Sequence, residues 1–150
     1  MDWEKEIKET VLYLAAGLLL AYIINLGLGY ALHADKPVMA VVSKSMEPTF
    51  YKGDIVVIKG VDPSEIKVGD IIVYYNPYRN FPVVHRVVEI KREGSSFCFI
   101  TKGDNNRTNP FPDQFIGIAP CVTPDMVKGK VIYVIPKLGW PRVMLNELFH

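Results

Sequence analysis

Cysteine is scarce in this chain: two residues, Cys98 and Cys121, among 150. Their spacing matches no zinc-binding pattern, which removes the cysteine-based metal sites and leaves open either one disulfide or two separate thiols. A dominant charge is lacking too. Lys and Arg number 17 and Asp and Glu 16, for a net charge of +1, and no basic run interleaves with aromatics. A surface that tracks a phosphate backbone needs such a run, so nucleic acid is not an expected partner. Histidine occurs only at His33, His85 and His150, which narrows the search for a base that is neutral near pH 7. Beyond residue 36 no stretch keeps a helical apolar period, which argues against a helical bundle.

What is abundant is apolar side chain, 49% of the residues, and the excess lies near the start. Thr10 to Leu32, "TVLYLAAGLLLAYIINLGLGYAL", is 23 residues with no charge and one strongly polar side chain, Asn25. As a helix it spans roughly 34 Å, against a hydrocarbon core of about 30 Å. A cleaved leader has a basic start and an apolar region of only about 7 to 15 residues. Here the lead-in "MDWEKEIKE" is acidic overall and the run is longer, so an uncleaved anchor is expected. Lys5, Lys8 and the amino terminus precede the span and Lys36 follows it, which leans towards a cytoplasmic N-terminus. The expected organisation is a cytoplasmic segment over 1–9, a single transmembrane anchor over 10–32 in the cell membrane, and one extracytoplasmic domain over 35–150.

After the anchor, short runs rich in Val, Ile, Tyr and Phe alternate with Gly, Pro, Asp and Asn. "PVMAVVS", "DIVVIK", "DIIVYY", "PVVHRVVEI", "SFCFIT" and "KVIYVI" have strand composition at strand length. A mostly β, antiparallel domain is predicted. "DPSEI", Asp62 to Ile66, has the pattern of a capping box and predicts one short helical turn. "KGDIVVI", "VGDIIVY" and "KGDN" repeat a Gly-Asp pair, which reads first as a turn device. The tail "IPKLGWPRVMLNELFH" is too short and too broken by Pro136, Gly139 and Pro141 to span a bilayer; it is expected on the domain surface or at the lipid interface.

The chemistry centres on "VVSKSMEPTF", Val41 to Phe50. Read as the end of a strand running into a turn, it puts Ser43 and Ser45 on one face and Lys44 on the other, so Lys44 is badly placed to serve either serine. Pro48 fixes its own φ and restricts Glu47, giving the chain a stiff exit after Ser45. A lysine base would also need its pKa lowered from about 10.4 to near 7, about 4 to 5 kcal/mol of desolvation or like-charge pressure. Histidine, at about 6.5, needs none of this. His33 sits at the membrane edge and His150 at the end of the chain, whereas His85 lies within an apolar strand where an imidazole needs a partner.

"SKSMEPTF", "KGDIVVI", "VGDIIVY", "VVHRVVEI" and "TKGDNN", in that order, resemble the successive boxes of type I signal peptidases, over Val38 to Asn106. The bacterial branch carries lysine where this chain has His85, so the resemblance is to the archaeal enzymes and the endoplasmic-reticulum catalytic subunits. It implies a β catalytic domain of the signal-peptidase and repressor-protease type on one N-terminal transmembrane helix. It implies a serine endopeptidase that cleaves signal peptides from exported preproteins, with no metal or organic cofactor. Signal peptides and membrane lipid are the implied partners, with other membrane subunits or the export channel beside them.

By that resemblance Ser45 is the nucleophile, His85 the general base, and Ser43 supports the backbone N–H of Ser45 in holding the oxyanion. Arg86 is expected to brace the strand or an acidic network. The third member departs from the pattern. Relatives carry a second Asp about six residues after that of "KGD", where this chain has Pro110, preceded by Asn109. The acid is therefore Asp113 on a lengthened loop, or Asp104, or the place is taken by Asn109. Two other readings stand beside this one: a catalytically silent anchored β module that binds extended peptides or partner subunits, and a self-cleaving repressor-type protease.

Overall fold

The computed structural model describes residues 2–76, 81–94, 96–119 and 121–148; His150 lies outside them. A single long helix, α1 (Trp3–Leu32), precedes the β domain and begins earlier than the uncharged run, taking in the exposed Glu4–Lys8 pair at 3.8 Å. None of its residues is buried, and it is long and apolar enough to cross a membrane. A helix apolar on every side and unburied by protein needs a lipid surround. His33, in the left-handed conformation with φ 51°, ends it, and the next N–H, of Ala34, reaches back to the carbonyl of Gly29 at 3.1 Å. The end of α1 is docked onto the domain: Gly60 N–H donates to the Leu32 carbonyl at 2.8 Å, and any side chain at Gly60 would collide with the carbonyl of His33.

All six predicted runs form strands: β1 (Val38–Ala40), β2 (Ile55–Lys59), β3 (Ile71–Tyr75), β4 (Pro82–Glu93), β5 (Ser96–Lys102) and β6 (Val127–Ile135). They make one sheet in the order β1-β2-β6-β3-β4-β5, every neighbour antiparallel. β3 lies inside the sheet and is covered on both faces, so Ile72, Val73 and Tyr74 are all fully buried. Alternation sends Ile72 and Tyr74 into one core with Val83, Val87, Phe99 and Val122. Val73 enters the other with Val41, Met46, Phe50, Val56 and Ile58.

The turn at "DPSEI" is present as a 3₁₀ turn, Pro63–Glu65, with Asp62 accepting from Ser64 N–H at 2.8 Å and Glu65 reaching back to Asp62 N–H. Two of the three Gly-Asp pairs are the same device. Asp54 accepts from Tyr51 N–H at 2.8 Å and Asp70 from Lys67 N–H at 2.9 Å, each after a glycine at positive φ. The third pair, Gly103-Asp104, is built differently and belongs to the site described below. The tail holds a helix the sequence reading did not foresee, α2 (Trp140–Leu148), with Val143 buried. Pro141 does not break it because a proline in the first turn gives up an N–H that has no helical partner there. Cys98 and Cys121 are joined by a disulfide, their Cα atoms 5.6 Å apart. That bond closes the segment running from β5 through residues 103–119.

Candidate active site

The turn expected after the strand is present, but the strand stops short of the serines. β1 stops at Ala40, and Ser45 opens a turn over residues 45–49. What fixes this turn is its underside: Met46 and Phe50 are buried in the second core, and Thr49 N–H donates to the Met46 carbonyl at 2.8 Å. The two serines still share a side, with Ser43 Oγ 3.2 Å from Ser45 Oγ, while Lys44 is exposed and its side chain contacts neither. Ser45 N–H donates to no acceptor among the described residues, which leaves it available to an incoming oxygen.

β4 brings His85. It pairs opposite Ile72, and alternation along the strand turns His85 inward with Val83 and Val87 while Arg86 points to the other side. A buried imidazole requires a hydrogen-bond partner, and it has one: Nδ1 lies 2.6 Å from Asp113 Oδ2. Asp113 is wholly buried. Its backbone N–H is clipped to the Thr101 carbonyl of β5 at 2.8 Å, and its own carbonyl accepts from Ile118 N–H at 2.9 Å. Oδ2 also accepts from Tyr74 Oη at 2.8 Å and Thr101 Oγ1 at 2.7 Å, whereas Oδ1 has no partner among the described residues. Three groups therefore converge on one carboxylate oxygen, and the imidazole is held through a single nitrogen.

Asp104 is placed elsewhere and makes no hydrogen bond to His85. Arg86 grips it with one edge of its guanidinium, Nε to Oδ1 at 2.9 Å and Nη2 to Oδ2 at 2.6 Å, and Thr49 Oγ1 donates to the same carboxylate. Burial works against the charge of Asp104. The hydrogen bonds from Arg86 and Thr49, with the positive charge of Arg86 and a smaller contribution from His85, outweigh it and hold the carboxyl below the usual carboxylate range. The pairing with Asp104 in turn holds Arg86 above its ordinary value. Arg86 Nη1 reaches the Gly69 carbonyl at 2.7 Å, so this ion pair ties the "VGD" turn to the "KGD" loop. The bracing role expected of Arg86 is what its contacts describe.

Ser43, Ser45 and His85 line one cavity of about 310 Å³, whose walls are largely apolar: Met39, Val41, Phe50, Val83, Val84 and Ile118. Asn109, the third possibility for the acid, also lines it, with Oδ1 accepting from Thr108 Oγ1 at 2.8 Å rather than meeting His85. β1 borders the cavity at one end of the sheet, and among the described residues no strand pairs with its outer edge. Ile58 N–H donates to the Pro37 carbonyl and Val41 N–H to the Asp54 carbonyl, so by antiparallel alternation the backbone groups of Val38 and Ala40 face away from β2. Among the described residues no group of three or more His, Cys, Asp or Glu is placed to hold a metal ion.

Sequence reasoning missed three participants. Tyr74 and Thr101 read as ordinary strand residues, and nothing local marks them as partners of a carboxylate on a distant loop. Gly103 carried a signal, the repeated Gly-Asp pair, but for the wrong reason. A Cβ there would lie 2.6 Å from the Ser45 carbonyl and 2.7 Å from Asn109 Cγ, so its lack of a side chain serves close packing beneath the serine turn.

Residues 8–91 match the family described as signal peptidase, peptidase S26. The matched stretch includes Ser45 and His85 and ends before the loop bearing Asp104 and Asp113. A signal peptidase complex catalytic subunit SEC11 of Scheffersomyces stipitis is 35% identical over 132 residues, 85% of this chain and 76% of the relative. The corresponding subunit of Pyrenophora teres f. teres is 32% identical over 146 residues, 95% of this chain and 83% of the relative. That of Colletotrichum graminicola is 34% identical over 128 residues, 85% and 74%.

Proposed function

The chain belongs to the signal peptidase family, peptidase S26, in its endoplasmic-reticulum-type branch, and from that premise we propose that Ser45, His85 and Asp113 carry out the cleavage. It is a membrane-anchored peptidase that cleaves signal peptides, with α1 as the anchor. The observation that carries the mechanistic reading is the 2.6 Å contact between His85 Nδ1 and Asp113 Oδ2, at the back of the cavity that holds Ser45.

With Nδ1 engaged, Nε2 is the nitrogen left to act on Ser45. Ser45 Oγ attacks the scissile carbonyl, its proton passes to His85, and the electrons of the C=O bond move onto the oxygen. Ser45 N–H and Ser43 Oγ–H stabilise that oxyanion. Asp113 fixes the tautomer of His85 and stabilises the imidazolium formed in this step. The amine leaves with the proton from His85. Water then attacks the acyl-enzyme by the same route and frees the signal peptide. The substrate pairs as an extended strand with the outer edge of β1, and the apolar pocket admits only small side chains at alternate positions.

The β domain faces the compartment that receives exported proteins. The Cys98–Cys121 disulfide supports this side, because such bonds persist in oxidising compartments, and Lys5 and Lys8 before the span favour the opposite side. The likeness to the endoplasmic-reticulum-type branch supports the endoplasmic-reticulum membrane rather than the cell membrane expected from the sequence. Names that describe the relatives as subunits of a complex support companion membrane subunits for this chain. Ser45→Ala in the detergent-purified protein abolishes preprotein cleavage; full activity in that variant sinks the mechanism.

A further inference from the structure

The mechanism above leaves one well-placed side chain unused. Asn105 follows Asp104 on the loop that passes beneath the serine turn. Its Nδ2 donates to the Lys44 carbonyl at 2.9 Å, its Oδ1 accepts from Arg107 N–H at 3.0 Å, and its backbone N–H donates to the Ser45 carbonyl at 2.9 Å. A carbonyl at one end of the amide and an N–H at the other allow only one orientation of the group. Asn105 is itself braced, since its carbonyl accepts from Asn109 N–H at 2.7 Å.

These contacts hold two consecutive peptide planes, those on either side of Ser45. The peptide between Lys44 and Ser45 is trans. In a trans peptide C=O and N–H point in opposite directions. Drawing the Lys44 carbonyl towards Asn105 therefore aims Ser45 N–H away from it, and that N–H meets no acceptor among the described residues. Met46 packs the turn from the core side and Glu47 N–H also reaches the Lys44 carbonyl at 3.3 Å, but among the described residues Asn105 alone donates to both carbonyls of the Lys44–Ser45 and Ser45–Met46 peptides.

We propose that Asn105 is the positioning residue of the oxyanion site: by clamping the carbonyls of Lys44 and Ser45 it aims Ser45 N–H at the place where the substrate oxygen becomes negative. This rests on Ser45 as the nucleophile. An oxyanion donor is worth about 10²- to 10³-fold in rate, so misaiming one costs about 10- to 100-fold. The loss falls on kcat, because the bound substrate's carbonyl needs the donor less than the transition state does.

The test uses the full-length protein in detergent with a preprotein substrate, comparing wild type, Ser45→Ala, Asn105→Asp and Asn105→Ala. Asn105→Asp keeps the shape and the acceptor for Arg107 but replaces the donor facing the Lys44 carbonyl with an oxygen. Asn105→Ala deletes the amide without adding charge and carries the comparison if the aspartate variant fails to fold. The expected result is a fall of about 10- to 100-fold in kcat with KM within twofold. A peptide aldehyde, whose carbon bonds to Ser45 Oγ and whose oxygen enters the same site, should lose affinity in step with kcat/KM. An uncleavable peptide of the same sequence should bind as before. Wild-type kcat in the folded Asn105 variants beside an inactive Ser45→Ala overturns the proposal alone, as does a loss confined to KM or to peptide binding. Cleavage by Ser45→Ala overturns the nucleophile reading and this proposal with it.

Discussion

The connection from β5 to the disulfide partner Cys121 does two different jobs at its two ends. The near end, Gly103 to Asn109, lies against the serine turn and Arg86, and its carboxylate, Asp104, sits in an ion pair with access to solvent. The far end, Pro112 to Ala119, is folded into the core edge, and its carboxylate, Asp113, is wholly buried against His85, Tyr74 and Thr101. Two aspartates on one loop thus meet opposite surroundings. Asp104 faces a permanent cation whose hold is architectural, while Asp113 faces an imidazole that can gain and lose a proton. On the proposed mechanism, position relative to a titratable partner, and not proximity to the "KGD" motif, separates the acid assigned to catalysis from the one assigned to bracing.

The sharpest way to break this contrast is to neutralise each carboxylate in turn. Asp113→Asn is expected to lower kcat for preprotein cleavage by about 10³- to 10⁴-fold, since an amide leaves His85 in the wrong tautomer. Asp104→Asn is expected to stay within about tenfold of wild type in the same assay, because it touches no reacting group. Equal losses, or the reverse order, would merge the two ends into one functional unit.

Next in size is the tie that closes the whole connection. Removing the Cys98–Cys121 bond, by reduction or Cys98→Ala, should lower stability by about 3 kcal/mol for a loop of this length. Differential scanning calorimetry with and without reductant reads this directly. No change in melting temperature would mean that the loop holds its shape through Asp113's hydrogen bonds alone.

A smaller effect belongs to Asp104 and acid. Its folded-state pKa lies below the unfolded value, so its contribution to stability is fully present above about pH 4 and disappears as the pH falls through the lower folded value. Denaturation from pH 5 down to pH 2 should therefore show a slope that Asp104→Asn removes, with about 1 kcal/mol lost at neutral pH for an ion pair open to solvent. A variant that keeps the wild-type slope would assign the acid sensitivity elsewhere. The smallest effect expected is that of Lys44→Ala, which should cleave at the wild-type rate within about twofold; a collapse in activity would restore the lysine as a base.

The strands were legible because each is a short β-branched or aromatic run bounded by Gly, Pro or Asp, and a sheet needs little more than that to be read. The anchor was legible from length and lack of charge. α2 was not, because Pro141 and Gly139 look like breakers until one knows that the helix starts between them at Trp140. At the site, Ser45 and His85 were readable from motifs, while Asp113 was readable only as the next carboxylate along a loop of altered length. Its partners Tyr74 and Thr101 come from β3 and β5, whose side chains meet only after the sheet pairs. Hydrogen bonds between distant strands leave no local trace in composition.

The docking of α1 through Leu32 and Gly60 has a geometric consequence. A helix end that hydrogen-bonds into the domain, at a glycine with no room for a side chain, cannot swivel freely on a linker. The position of Ser45 relative to the end of α1 is then set by the fold and not by a linker. On the proposed mechanism, the reach from the lipid surface to the cutting site is therefore built into the domain.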